Sequence, residues 1–177
     1  MMLRTRPLVR NFLTLHSART YSKFDPLIGE YNEFPIDLFR VNGTEKVILR
    51  DYDTQMKKNS RSYDLVFNEN GLVDGIFSGL FERPNGASLR PNSRMMQEIV
   101  RNFKGKNVTV YEIPKGTKLP EGLTLKHEHS DHYSIQTTKP ISLKELNAKL
   151  TEFMKQSAKK YTKNEWCDEY PFESAKF

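Results

Sequence analysis

Three histidines and two carboxylates lie within six residues of the chain, at His127, Glu128, His129, Asp131 and His132. Imidazole and carboxylate side chains are common ligands of zinc and iron. If the strand before this stretch continues through it, His127 and His129 share a face, and a tight turn would bring His132 across. The alternative is a hydrated hairpin tip. No ligand from a distant part of the chain is recognisable, so we expect no metal.

Two arginines lie in or beside stretches of alternating apolar residues. Arg40 stands between Phe39 and Val41, and Arg61 precedes the stretch at 63–67. Burying a guanidinium without a partner costs free energy, so a strand arginine needs either a structural carboxylate or the phosphate of a ligand. The periodicity does not choose between these two partners.

A glycine-rich segment could supply a second contact to phosphate. Residues 71–86 contain four glycines and lead directly to Ala87 and Ser88. Backbone N–H groups of such a loop can surround a phosphate. Neither the dinucleotide-binding fingerprint nor the P-loop pattern is present, so an ordinary loop is the alternative. By themselves these residues predict no more than a domain that binds phosphate.

A sheet must position these side chains, and the pattern of apolar residues predicts one. Strands are predicted at 37–41, 47–50, 63–67, 108–113, 123–126 and 133–137. The main helices are predicted at 95–103, before a stop at Gly105, and after a capping box that begins at Ser142. Residues 51–62 read as a loop. This order favours one α+β domain over 34–177, with a mainly antiparallel sheet and two main helices.

The charge of the chain is concentrated at its start. The net charge is +6, from 28 basic and 22 acidic residues. Residues 1–24 hold no acid and five of the bases, namely Arg4, Arg6, Arg10, Arg19 and Lys23. The remainder is nearly neutral, so the charge does not indicate binding to nucleic acid. An arginine-rich, hydroxyl-rich and acid-free start is typical of a mitochondrial transit peptide, and we expect matrix localisation; a disordered basic arm is the alternative.

Two further classes of protein are excluded by composition. No run of about 18 apolar residues exists, so we expect no membrane span. Cys167 is the single cysteine, which excludes an internal disulfide.

Several short motifs carry a resemblance to a known family. Residues 116–123, the run His132-Tyr133-Ser134-Ile135, and Lys139-Pro140 before the capped helix together resemble the ADP-ribosyltransferase-like toxin family. This family comprises NAD-dependent cytostatic effectors of bacterial type VI secretion and has fungal members. Leu38-Phe39-Arg40-Val41 is similar to the strand that opens many ADP-ribosyltransferases, and 60–66 resembles the segment that holds a second arginine in the toxins. The resemblance covers roughly residues 34–155.

The resemblance implies a role for each matching residue, with NAD as the substrate. Arg40 would hold the pyrophosphate or a ribose of NAD, and Ser88 would organise the nicotinamide ribose. Arg61 would line the same cleft. His132 and Tyr133 match a His-Tyr pair whose ring either stacks on nicotinamide or packs in the core.

The chain also departs from the family pattern. Ala87 stands where the toxins have a hydroxyl residue, and the Glu-x-Glu or Gln-x-Glu motif of many transferases is absent. Glu128 is the nearest carboxylate that could contact a ribose hydroxyl.

The resemblance and these departures leave three hypotheses. The first is an NAD-dependent ADP-ribosyltransferase or NAD glycohydrolase in mitochondria, with a protein or nucleic-acid acceptor and an inhibitor protein as its partners. The second is a catalytically inactive domain of the same fold that binds a nucleotide or a protein. The third is a metal-binding hairpin formed by the histidines at 127, 129 and 132.

Overall fold

Seven strands form two antiparallel sheets in the computed structural model, which describes residues 25–176. The strands are β1 (Gly29–Tyr31), β2 (Leu38–Asn42), β3 (Ala87–Leu89), β4 (Thr109–Ile113), β5 (Leu123–His129), β6 (His132–Thr137) and β7 (Lys159–Thr162). The helices are α1 (Tyr52–Lys57), α2 (Arg94–Asn102), α3 (Leu143–Ser157) and α4 (Lys163–Glu169), before a short 3-10 turn at Phe172–Ser174. The structure confirms a single α+β domain. The predicted transit peptide lies outside the described residues. Within residues 25–176, no helix combines the length and the hydrophobicity that a membrane span requires.

The two sheets meet where β2 passes β3. The larger sheet has the order β1-β5-β6-β3, and the smaller one has the order β2-β4-β7. Phe39 on β2 and Arg90, just after β3, exchange two backbone hydrogen bonds of 2.7 and 3.0 Å. This bridge places the residues that follow Phe39 beside those that precede Arg90, which brings Arg40 close to Ser88.

The apolar residues form two clusters of buried side chains. The first lies against α3, which contributes Leu146, Leu150, Phe153 and Met154. The second lies against the smaller sheet and consists of Phe39, Met96, Val100, Val110, Tyr161 and Trp166. Because Phe39 belongs to the second cluster, the strand that carries Arg40 is anchored on its opposite face by apolar packing.

Both main helices begin where their capping residues predict. Ser93 caps α2, and its side chain accepts a hydrogen bond from the backbone N–H of Met96. At α3 the capping box is complete, since Ser142 and Glu145 each accept a hydrogen bond from the other's backbone N–H. These helices depend on local hydrogen bonds, and the local sequence was enough to place them.

The predicted strand at 47–50 is wrong. Its side chains alternate between buried and exposed as a strand's would, but its backbone pairs with none of the described strands. Instead, the Val47 N–H donates to the Thr151 side chain and the Leu49 N–H donates to Asn147, both on α3. Alternation of apolar residues indicates that one side of a segment is buried, and here α3 buries that side.

Three other segments also differ from the prediction. The predicted loop at 51–62 contains α1, which Asp51 caps by accepting from the Thr54 N–H. The predicted strand at 63–67 makes only isolated bridges. The tail forms β7 and α4, and the capping box at the start of α4, from Thr162 to Glu165, is a local signal that the sequence analysis missed.

Candidate functional site

A cleft of about 430 Å³ opens where the two sheets meet. It is lined by Phe39, Arg40, Val41, Asn42, Gly43, Ile48, Arg50, Ser62, Asp64, Ser88, Leu89, Arg90, Met96, Ile99, Phe103 and His132. The volume falls within the range of small-molecule sites. Of the residues predicted for the site, the cleft brings together Arg40, Ser88 and His132.

Arg40 is buried in the wall of the cleft, with 7% of its surface exposed. Its Nη1 donates to the carbonyl oxygen of Ser88 at 3.0 Å, while its Nε has no hydrogen-bond partner within the described residues. Burial lowers the pKa of Arg40, and the charge of Arg50 lowers it further, against the opposite effect of Asp64. A buried guanidinium with a spare donor is ready to receive an anion.

Asn42 adds a second unused donor on the same face of β2. It lies two residues beyond Arg40, lines the cleft and is 6% exposed. Its Nδ2 has no hydrogen-bond partner in the part of the chain that the structure describes. Buried donors without partners are rare in folded proteins and call for an explanation. A bound molecule rich in oxygen acceptors would satisfy both residues.

Asp64 and Arg50 form a fixed ion pair in the cleft wall. Both Asp64 oxygens accept hydrogen bonds of 2.8 Å from the Arg50 side chain, and Oδ2 also accepts from the Arg50 backbone N–H at 2.8 Å. Burial by itself would raise the pKa of Asp64, but these hydrogen bonds and the charges of Arg40 and Arg50 outweigh it, so the pKa is lowered. Asp64 is therefore ionised at neutral pH.

We expect this ion pair to make the fold sensitive to acid. Because the pKa of Asp64 is lower in the folded state, its contribution is complete above the unfolded value of about 3.9 and is lost as the pH falls through the folded value. Near neutral pH, Arg50→Gln should lose about 1–2 kcal/mol of unfolding free energy, a modest value because Arg50 is partly exposed. Urea unfolding at neutral and acidic pH measures both effects. An equal loss of stability on acidification in both proteins would contradict the assignment.

Arg90 and Asp131 join the β5–β6 hairpin to the start of α2. Asp131 accepts from the Arg90 Nη1 and from the hydroxyl of Ser93, the residue that caps α2. Arg90 lines the cleft, but its charge is neutralised by this contact. Since Arg50 is likewise paired with Asp64, Arg40 is the one arginine of the lining without an ion pair among the described residues.

Glu128 lies behind His132 and does not line the cleft. The Glu128 side chain is 0% exposed, and its Oε1 accepts from Ser134 at 2.6 Å and from Gln136 at 3.0 Å. Its Oε2 lies 2.7 Å from His132 Nδ1, at angles outside those of a hydrogen bond. Glu128 therefore contacts His132, a residue of the cleft lining, without lining the cleft itself.

Two residues of the predicted site lie away from the cleft lining. Tyr133 follows His132 on β6, so its side chain points to the opposite face of the sheet. There it joins the first apolar cluster and stacks on His127 with 4.0 Å between ring centroids. Of the two alternatives for this ring, the structure shows packing in the core. Arg61 is exposed, and its neighbour Ser62 lines the cleft in its place.

A model of a known protein family matches most of this chain. The model of the family described as Tse2 ADP-ribosyltransferase toxin matches residues 36–166, which is most of the chain. The chain belongs to this family. Comparisons with curated proteins and with solved structures gave no match. Membership in the Tse2 family supports an ADP-ribosyltransferase-like function and implies NAD as the substrate.

The sequence analysis missed several residues of the Tse2-family cleft. Asn42 directly follows the stretch predicted as a strand at 37–41, Arg50 ends the one predicted at 47–50, and Asp64 lies within the segment that resembles the toxins. The alternation of apolar residues in these stretches was a usable signal for the side to which each residue faces. That these faces meet in one cleft depends on contacts between distant segments, which no local pattern reports.

Proposed function

We propose that this Tse2-family protein breaks the bond between nicotinamide and ribose in NAD and transfers ADP-ribose to a macromolecule or to water. The observation that carries the proposal is the buried Arg40, a residue of the cleft lining whose guanidinium contacts Ser88 and retains a donor without a partner among the described residues. Guanidinium groups recognise phosphate oxygens through charge-assisted hydrogen bonds. The pyrophosphate of NAD supplies such oxygens.

Four residues of the cleft lining have a part in this proposal. Arg40 and Asn42 hold the pyrophosphate through the donors that have no partner among residues 25–176. Ser88, partly exposed beside Arg40, presents its hydroxyl to the nicotinamide ribose. His132, which also lines the cleft, contacts the nicotinamide ring. A dinucleotide held at its pyrophosphate, ribose and nicotinamide has its glycosidic bond fixed in position, which lowers the entropic part of the barrier.

The reaction makes electrostatic demands on the site. When the glycosidic bond breaks, its electron pair leaves with nicotinamide and positive charge develops on the ribose. The acceptor then forms the new bond to the ribose and gives up a proton. A negative charge near the ribose stabilises this transition state. Asp64 is the one carboxylate in the described lining of the cleft, and it is ionised, although both of its oxygens are engaged by Arg50.

A second candidate function is favoured because Asp64 is hydrogen-bonded to Arg50 and Glu128 lies outside the cleft lining. Neither carboxylate has an oxygen that is both uncommitted and exposed in the cleft. A domain that binds NAD, or a related nucleotide, without cleaving it would need only the donors of Arg40 and Asn42. The two functions share a binding site and differ in the chemical step.

Release of nicotinamide from NAD by the full-length protein separates the two candidates and needs no knowledge of the acceptor. Turnover above the uncatalysed background supports the enzyme. Saturable NAD binding without nicotinamide release supports the binding domain. Absence of both would refute the proposed function.

We expect Ser88→Ala to slow nicotinamide release about 2- to 10-fold, the value of one lost hydrogen bond. The substitution keeps the backbone carbonyl that accepts from Arg40, so the effect reports the hydroxyl alone. Ser78→Ala, on an exposed loop outside the cleft, is the matched control. Equal rates in the wild type and Ser88→Ala would remove Ser88 from the site.

We further propose that the protein acts in mitochondria, on the basis of the arginine-rich, acid-free residues 1–24. Because an NAD-consuming enzyme in that compartment needs restraint, an inhibitor protein belongs to the proposal. Residues 1–24 fused to a fluorescent protein should direct it to mitochondria. Replacement of the four arginines by glutamine should abolish import, and import of that variant would contradict the proposal.

A further inference from the structure

We propose that the β5–β6 hairpin binds one zinc ion through Glu128, His129 and His132. Each of these residues offers one ligand atom, and the three atoms lie within 4.8 Å of one another. A metal ion at their centre could contact all three after small side-chain movements. This proposal replaces our expectation that the protein holds no metal.

A break in the strand register gathers these three side chains. In a regular strand, the neighbours Glu128 and His129 would point to opposite faces. The pairing with β6 shifts between His127 and His129, so that His127 pairs with Tyr133 and His129 pairs with His132. Glu128 Oε2 lies 2.7 Å from His132 Nδ1, and the His129 ring stacks on the His132 ring at 5.1 Å. Such bulges redirect a side chain, and they are over-represented beside functional sites.

The buried carboxylate supplies the second argument. Glu128 is wholly buried, and two hydrogen bonds from Ser134 and Gln136 hold its Oε1. Its Oε2 lies 2.7 Å from His132 Nδ1, within ion-pair distance of a charged imidazole, but makes no hydrogen bond among the described residues. A buried carboxylate oxygen needs a positive partner, and a divalent cation bound by both side chains would supply one. Hydrogen bonds to the other oxygen would orient Glu128 as they orient metal ligands in general.

The donor set selects the kind of metal. Two imidazoles and one carboxylate suit zinc, whereas calcium and magnesium prefer oxygen ligands throughout. Three protein ligands leave a fourth coordination position for water. His127 takes no part, because its Nε2 contacts the Ser130 carbonyl oxygen at 2.7 Å and its ring stacks on Tyr133.

Calorimetric titration of the full-length protein with Zn²⁺ tests the proposal, and the absorption of bound Co²⁺ reports the coordination geometry. We expect one equivalent of zinc and the intense visible bands of tetrahedral cobalt. His129→Gln and His132→Gln should each weaken zinc binding at least about 10-fold, since loss even of outer-shell partners has an effect of this size. The controls are His16→Gln and His127→Gln, the other two histidines of the chain, which should leave binding unchanged.

A further variant keeps the test independent of folding defects. His129→Cys retains a zinc ligand and should restore binding, with a thiolate-to-cobalt absorption band that the wild type lacks. Lack of saturable zinc binding by the wild type, equal binding by His129→Gln, or an equal loss in His127→Gln would each overturn the proposal. None of these outcomes depends on whether the protein cleaves NAD.

Discussion

The Arg40→Met variant should bind NAD at least about 10-fold more weakly than the wild-type protein, while its free energy of unfolding stays within about 1 kcal/mol. Hydrogen bonds to charged groups contribute about 1.5–3 kcal/mol each, which sets the expected loss of affinity. Stability should be retained because Arg40 is buried without an ion pair among the described residues, and methionine fills a similar volume without a charge to desolvate. A variant that keeps its stability but loses NAD affinity would show that Arg40 serves ligand binding and not folding.

Calorimetry with NAD and urea unfolding measure the two quantities on the same protein samples. Arg94→Ala is the control, because Arg94 is an exposed arginine of α2 that does not line the cleft. It removes the same charge from the chain and should leave NAD affinity unchanged. If Arg40→Met binds NAD as tightly as the wild type, the guanidinium does not hold the pyrophosphate and the proposed function loses its main support.

The largest loss of stability is expected for Trp166→Ala, at about 3–5 kcal/mol. Trp166 is 0% exposed and is the largest fully buried side chain described. Its ring meets Phe39 edge to face, with 5.7 Å between centroids, and lies 5.4 Å from the ring of Tyr170. Removing the indole leaves a cavity in the second apolar cluster, behind the strand that carries Arg40.

Circular dichroism during urea unfolding measures this loss without relying on tryptophan fluorescence. Trp166→Phe keeps an aromatic ring and should lose less than Trp166→Ala. Asp168→Ala, on the exposed side of the same helix, should change stability by no more than about 0.5 kcal/mol. A loss below about 1 kcal/mol for Trp166→Ala would mean that α4 does not share the cooperative core.

The local signals in the sequence located the two main helices and four of the seven described strands. Ser93 and Ser142 cap their helices as predicted, since a cap depends on residues within one turn of each other. The antiparallel strands at 109–113, 123–129 and 132–137 lie where the sequence pattern predicted strands. The stretch at 47–50 alternates in the same way and is not a strand, because its N–H groups find side chains of α3 about 100 residues later in the chain. Alternation specifies which side of a segment is buried but not the element that buries it.

The residues of the candidate site likewise fall into those that the sequence predicted correctly and those whose position only the tertiary structure decided. The residues Arg40, Ser88 and His132 were predicted from their matches to the toxin family, and they line the same cleft. Tyr133 and Arg61 matched the family equally well, yet one packs in the core and the other is exposed. Membership in a family carries over the motif, whereas the direction of each side chain depends on strand register and on the path of the loops.

The sequence by itself determined the α+β fold class, the family and the concentration of charge in the first 24 residues. It also supplied a short list of polar residues suited to binding NAD. The tertiary structure decided that Arg40 and Asn42 keep donors without partners in the described part of the chain, that Asp64 is held by Arg50, and that a bulge turns Glu128 and His129 toward His132. The physical reason is the range of the interactions. Caps and alternation depend on near neighbours, while the partner of a buried charge is chosen by how distant segments pack.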